Sequence, residues 1–260
     1  HRRGRVDRRW SLLVMDLVCP ALIADAAPAL CRQFDVYCER IGFGLDAEPL
    51  NALTNVAMLV VAVFAARLQI ARPNRDAAGL IWAAIIAVAI GGIGATLFHT
   101  TATVWAVWAD MMPFLVFMLI VLWLALTRHF GWPAWAAAIA VLGFLAVTFG
   151  GGPLIPRGLL PGGAYYLPPL LVLFAVAVIL QRRGSKAGVS YLLASIVFLG
   201  ALAARESDGP LCAAIPFGTH FLWHLLAALL AWILIRSAIL ETPASGAAAR
   251  KPRRDRDKAA

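Results

Sequence analysis

The sequence predicts an all-α membrane protein, a seven-transmembrane-helix bundle with the N-terminal side outside and the C-terminus in the cytoplasm. Composition is the first reason. Hydrophobic residues make up 62% of the 260 positions, charged residues 14%, and mean hydropathy is +0.80, so lipid is the solvent for most of the chain. Stretch length is the second: apolar runs of about 20 residues recur, the length a helix needs to cross a hydrocarbon core roughly 30 Å thick. The third is an uneven placement of Lys and Arg between successive runs.

The first span, Leu50 to Leu68, opens at Glu48-Pro49, a helix-start pair. The others run from Ala77 to Phe98, Asp110 to Thr127, Trp132 to Phe149, Ala164 to Gln181, Ala187 to Ala204 and Phe217 to Leu240. None alternates with a period of two, and each exceeds the length of about 10 residues of a barrel strand. Backbone polar groups in lipid must be satisfied within the segment, which leaves helices. The Gly- and Pro-rich stretch from Gly150 to Gly163 reads as a flexible outer connection, a lid over a portal. The expected organisation is an N-terminal segment 1–34, a membrane domain 35–240 and a basic disordered tail 241–260.

Orientation follows from the basic residues. Arg67, Arg72 and Arg75 follow the first span, Arg128 the third, and Arg182, Arg183 and Lys186 the fifth. Arg236 and the run Arg250, Lys251, Arg253, Arg254, Arg256, Lys258 follow the seventh, whereas the intervening loops hold only Arg157 and Arg205. The formal charge of +9 is therefore topological, and the partner it implies is the anionic bilayer surface, not nucleic acid. In a bacterial cell this is an inner-membrane protein with its outer side in the periplasm. Arg2, Arg3, Arg5, Arg8 and Arg9 run against this pattern. Either translation starts at Met15 or the run precedes a signal-like segment from Ser11 to Ala24; both leave Asp35 to Glu48 outside.

With that topology, His99, His220 and His224 share the outer depth, while His129 lies at the cytoplasmic end of the third span. His220 and His224 are four apart, so their imidazoles project from one helix face, and His99 is the third candidate at that depth. Three histidines with one open position are the arrangement of catalytic zinc, whose bound water titrates near about pH 7. Asp110, isolated among apolar residues, is the expected carboxylate beside that water. The blander alternatives are interfacial hydrogen-bonding histidines and a chance pair. Haem is disfavoured, because two histidines on one face of one helix cannot take opposite axial positions.

The ordered set Tyr37-Cys38-Glu39, Glu48 with Asn51 and Asn55, Phe98-His99, Asp110, Asp208 with Cys212, and His220 with Trp223-His224 resembles the alkaline ceramidase family over about Asp35 to Leu240. That family, in a bacterial-type member here, belongs to a wider group of seven-helix membrane hydrolases that includes the adiponectin and progestin receptors. The resemblance implies zinc on His99, His220 and His224, with Asp110 as proton acceptor. It implies cleavage of the amide of ceramide or a ceramide-like lipid, releasing a fatty acid and a sphingoid or other lipid amine. It implies a lipid partner, and no obligate protein partner is evident. A zinc-containing receptor or sensor with little turnover and a proton or solute transporter are the competing readings.

Several residues carry narrower expectations. The family has a serine four residues before the first ligand; Ala95 stands here, so Thr96 becomes the expected hydroxyl at the reacting centre. Calcium, bound before the first helix in animal members, would fall to Asp35, Glu39 and Glu48, although Ile41 replaces an asparagine of that pattern; the competing reading is an acidic loop capping the first helix. Topology places Cys38 and Cys212 in an oxidising compartment, and the resemblance pairs them. Cys19 and Cys31 form a second bond or belong to a removed peptide, four cysteines allowing three connectivities. Asn51 and Asn55 are expected to support the site or glue helices together, and Trp223 to line the lipid entrance.

Overall fold

The computed structural model describes residues 17–150, 160 and 163–241, and is all-helical apart from an isolated bridge between Gln33 and Thr103. The basic N-terminal run, the choice of Met15 or a signal-like segment, most of the Gly- and Pro-rich connection and the basic tail lie outside the described residues. Helix α1 spans Pro49–Ala71 and α2 Ala78–Thr101; α3 spans Val104–Leu124 and continues as a π-turn over Ala125–His129. They are followed by α4 Ala134–Gly150, α5 Ala164–Arg182, α6 Ala187–Leu211 and α7 His220–Leu240, the first turn of α5 being 3-10. Six of the seven are long and apolar enough to cross a membrane by length and composition; α4, with 17 residues, is a shorter apolar helix.

Each helix packs on the one before it, and α7 returns to pack on α1, closing a ring. The closest seams are α2 with α3, α6 with α7 and α5 with α6; α4 touches its neighbours lightly. Small residues allow the close seams: Ala65, Ala84, Ala177, Ala194, Ala201 and Ala231 are buried at helix contacts, where lipid offers no hydrophobic push and backbones must approach. Ile86, Ile90, Leu171, Val189, Ile196 and Leu199 point outward instead, as lipid-facing side chains do.

The two boundaries furthest from expectation both lie at the end that carries the site. Helix α3 starts at Val104, so Asp110 sits inside it rather than opening it. Helix α6 runs through Arg205, Glu206 and Asp208 to Leu211, although those charges end its apolar run. The charges are accommodated because they are paired: Arg205 donates to Glu206 at 2.7 Å, and Asp208 accepts backbone N–H groups from two other segments.

The segment before α1 lies across this end. Phe34 N–H donates to the Ala102 carbonyl and Val104 N–H to the Arg32 carbonyl, both across the α2–α3 turn, where Ala102 adopts a left-handed conformation. Disulfides join Cys38 to Cys212 and Cys19 to Cys31, so all four cysteines of the chain are bonded.

Candidate metal centre

His99 lies on the last turn of α2, and His220 and His224 lie on the first two turns of α7. Their rings converge, with centroids 5.1 Å apart for His99 and His220, 4.6 Å for His99 and His224, and 4.7 Å for His220 and His224. One ring nitrogen from each lies within 4.8 Å of the others, and all three residues are buried. His129, at the other end of α3, is not part of this group.

The partners of the outer nitrogens set the tautomers. His99 Nδ1 meets a Glu48 oxygen at 2.5 Å; a carboxylate only accepts, so Nδ1 carries the proton and Nε2 keeps its lone pair. His224 Nδ1 meets Thr54 Oγ1 at 2.9 Å. Thr54 directs its own hydroxyl proton at the Leu50 and Asn51 carbonyls, 2.9 and 3.1 Å away, so here too Nδ1 donates and Nε2 is free. His99 Nε2 and His220 Nδ1 are buried without a protein partner. Buried ring nitrogens left without a partner are costly in a metal-free core, and three imidazoles that each bring a nitrogen within 4.8 Å of the others are what a metal requires, so the donor set fits a cation with a preference for imidazole.

The surroundings fix these three side chains. Tyr37 stacks on His220 with centroids 3.6 Å apart and planes 16° apart. Asp208 Oδ1 accepts the N–H groups of Thr219 and His220 at 2.7 and 2.9 Å, capping the start of α7, and its Oδ2 accepts Cys38 N–H at 2.8 Å. Gly218 is the only residue that fits this cap: its φ is +68°, and a Cβ would come 2.1 Å from Asp208 Oδ1. Asn51 Nδ2 donates to Glu48 at 3.0 Å, and Asn55 Nδ2 donates to the Asn51 carbonyl at 2.9 Å. Thr54 and Asn55 thus both use the Asn51 carbonyl, α1 loses its regular ladder at Asn55, and the break lets Thr54 face His224.

Asp110 faces a small cavity of about 40 Å³ together with Asn55, Ala95, Tyr166, Trp223 and His224. Met111, Phe114 and Tyr166 also line a second, almost wholly apolar cavity of about 280 Å³ between α3, α4 and α5. Trp223 packs on Tyr166 at 4.6 Å and is 9% exposed, so it forms an inner wall of the first cavity rather than its entrance.

The profile of a family described as Ceramidase matches residues 38–248. The chain belongs to the ceramidase family. No curated protein matches it.

Two further expectations for this ceramidase-family chain change. Thr96 does not reach the reacting centre: its hydroxyl donates to the Gly92 carbonyl one turn back at 2.8 Å, and it is Ala95 that lines the cavity. Calcium does not fit Asp35, Glu39 and Glu48. Asp35 is exposed, and among the described residues the three form no common group. Glu39 uses its two oxygens on Leu50 and Asn51 N–H, at 2.6 and 2.8 Å, capping α1 where Pro49 has no N–H to offer. Glu48 accepts from Arg40, His99 and Asn51. Burial alone would push its carboxyl up, but the hydrogen bond from His99, with the Arg40 charge and the Asn51 hydrogen bond, outweighs burial and holds it below its ordinary value. Thr54, Arg40 and the capping role of Asp208 were missed from sequence; the only signals were the Asp208 to Cys212 motif and the helix-breaking polarity of Asn51 to Asn55.

Proposed function

We propose that this chain is a zinc-dependent membrane amidohydrolase that cleaves the amide of ceramide or a ceramide-like lipid, releasing a fatty acid and a sphingoid or other lipid amine. The observation that carries this reading is the convergence of three buried imidazoles, with open ring nitrogens, beside an Asp110-lined cavity in a ceramidase-family chain. His99, His220 and His224 hold the metal. Zinc held there would supply Lewis acidity and make water acidic enough to react near neutral pH. Asp110 takes the proton of the attacking water and returns it to the leaving amine, a role for which general acid–base catalysis typically contributes 10²–10⁴-fold. Trp223 and Tyr166 keep bulk water from the first cavity. The second cavity receives one chain of the substrate. Each methylene is worth about 0.8 kcal/mol against water, and much less here because the chain arrives from lipid.

In this reading α4 is the seventh span, and the site faces the outer, periplasmic side of a bacterial inner membrane. The distribution of Arg and Lys supports that orientation. So do two disulfides at the site's end of the bundle, which call for an oxidising compartment.

The test combines metal analysis with mass spectrometry of lipid amides incubated with the purified protein. The parent is expected to carry about one zinc per chain and to convert ceramide to fatty acid. His220→Ala is expected to lose both, and Asp110→Asn to keep zinc while turnover falls by about 100-fold or more. Undiminished metal in His220→Ala would sink the ligand assignment; stoichiometric zinc with intact lipid amides would move the chain to the sensor reading.

A further inference from the structure

Arg40 is accounted for by neither the metal centre nor the reaction. Its side chain is 0% exposed, a costly place for a guanidinium unless its donors are paired. They are: Nε donates to Glu48 Oε1, Nη2 donates to the His99 carbonyl at 2.8 Å, and Nη1 donates to the Gly42 carbonyl at 3.3 Å. One carboxylate and two backbone carbonyls, from three places in the chain, converge on one positive charge. Carboxylate and carbonyl oxygens are the ligand types a hard cation takes, and here the chain's own side chain meets them. The other Glu48 oxygen holds His99 Nδ1, so Arg40 grips His99 twice, at its carbonyl and, through Glu48, at its ring. A planar fork can meet acceptors in several directions at once; a lysine ammonium at the end of a flexible stem cannot hold that geometry.

We propose that Arg40 is a positioning residue of the metal centre: an internal guanidinium that takes the place of a divalent cation, fixes the tautomer and orientation of His99, and makes the site independent of calcium. The inference rests on reading His99, His220 and His224 as metal ligands.

Cobalt titration of the full chain in detergent tests it, because the visible absorption of the bound ion reports the centre without turnover and zinc competition gives the affinity. The parent, exchanged into calcium-depleted buffer, is expected to bind metal and turn over lipid amide as it does with added millimolar calcium. Arg40→Gly is expected to weaken metal binding by roughly 10–100-fold, the usual effect of losing an outer partner, and millimolar guanidinium is expected to restore most of it. Arg40→Lys is expected to fall between the two. A parent whose affinity or turnover rises with calcium overturns the proposal. So does a folded Arg40→Gly that binds cobalt like the parent, or one whose deficit guanidinium leaves unmoved. If Arg40→Gly does not fold, parental affinity in Arg40→Lys has the same force. A parent that takes up no cobalt overturns the metal-centre reading, and this inference with it.

Discussion

Thr54 and Thr96 show how a hydroxyl's use is decided by the helix that carries it. Both bond to a carbonyl four residues back, Thr54 to Leu50 and Thr96 to Gly92. Thr54 sits where α1 loses its regular ladder, and its oxygen still has a lone pair directed at His224 Nδ1. Thr96 sits in an unbroken helix and is absent from the wall that Ala95 and Asp110 share. Thr96→Val is therefore expected to leave turnover within about twofold of the parent. Thr54→Val leaves His224 Nδ1 without its acceptor and is expected to weaken zinc binding by about 10-fold or more, measured by competition titration. Equal zinc affinities for the two variants would remove Thr54 from the site.

Helix α3 is shaped at one point, and that point carries Asp110. Pro113 has no N–H, so the Ala109 carbonyl four residues earlier loses its intrahelical donor and is pushed out of the ladder. Gly94 of α2 lies directly against that carbonyl: a Cβ there would come 2.0 Å from Ala109 O and 2.9 Å from Asp110 N. The missing side chain lets α2 and α3 close, which sets Asp110 beside Ala95. Gly94→Ala is expected to force the helices apart and lower the detergent unfolding midpoint, the overpacking cost being about 1–3 kcal/mol, with loss of turnover. Gly91→Ala is its control, since a Cβ at Gly91 meets only Pro113 Cβ at an ordinary 3.6 Å. Equal thermal stability of the two variants would refute the close approach. Hydropathy could not show this joint. It began the third span at Asp110 because a charge looks like a boundary, whereas the charge sits inside the helix and faces a cavity.

At the scale of the molecule, the site belongs to one end of the ring and to the segment laid across it. The three histidines could be read from the sequence because a spacing of four on one helix and a shared depth are one-dimensional facts. Glu48, Arg40 and Asp208 act through contacts between segments far apart in sequence, and no spacing encodes those. The Cys38–Cys212 disulfide spans 174 residues and joins the two groups: Cys38 is two residues from Arg40, and Cys212 lies in the connection that leads from Asp208 to His220. Asp208 reinforces the same joint without covalent help, holding Cys38 N–H and the first N–H groups of α7 on one carboxylate. The Cys19–Cys31 bond closes only a short loop, over a segment whose contact with the bundle includes Trp105 Nε1 donating to the Val18 carbonyl. The two bonds should therefore be separable. Replacing Cys38 and Cys212 together by serine is expected to weaken zinc binding by about 10-fold, or about 1.4 kcal/mol, while far-ultraviolet circular dichroism keeps its helical signal, because the membrane helices are held by their own seams. The corresponding Cys19 and Cys31 double variant is expected to bind zinc as the parent does. If both variants bind zinc like the parent, Asp208 and the Arg40 contacts suffice to hold the segment against the bundle, and the long disulfide has no part in setting the metal centre.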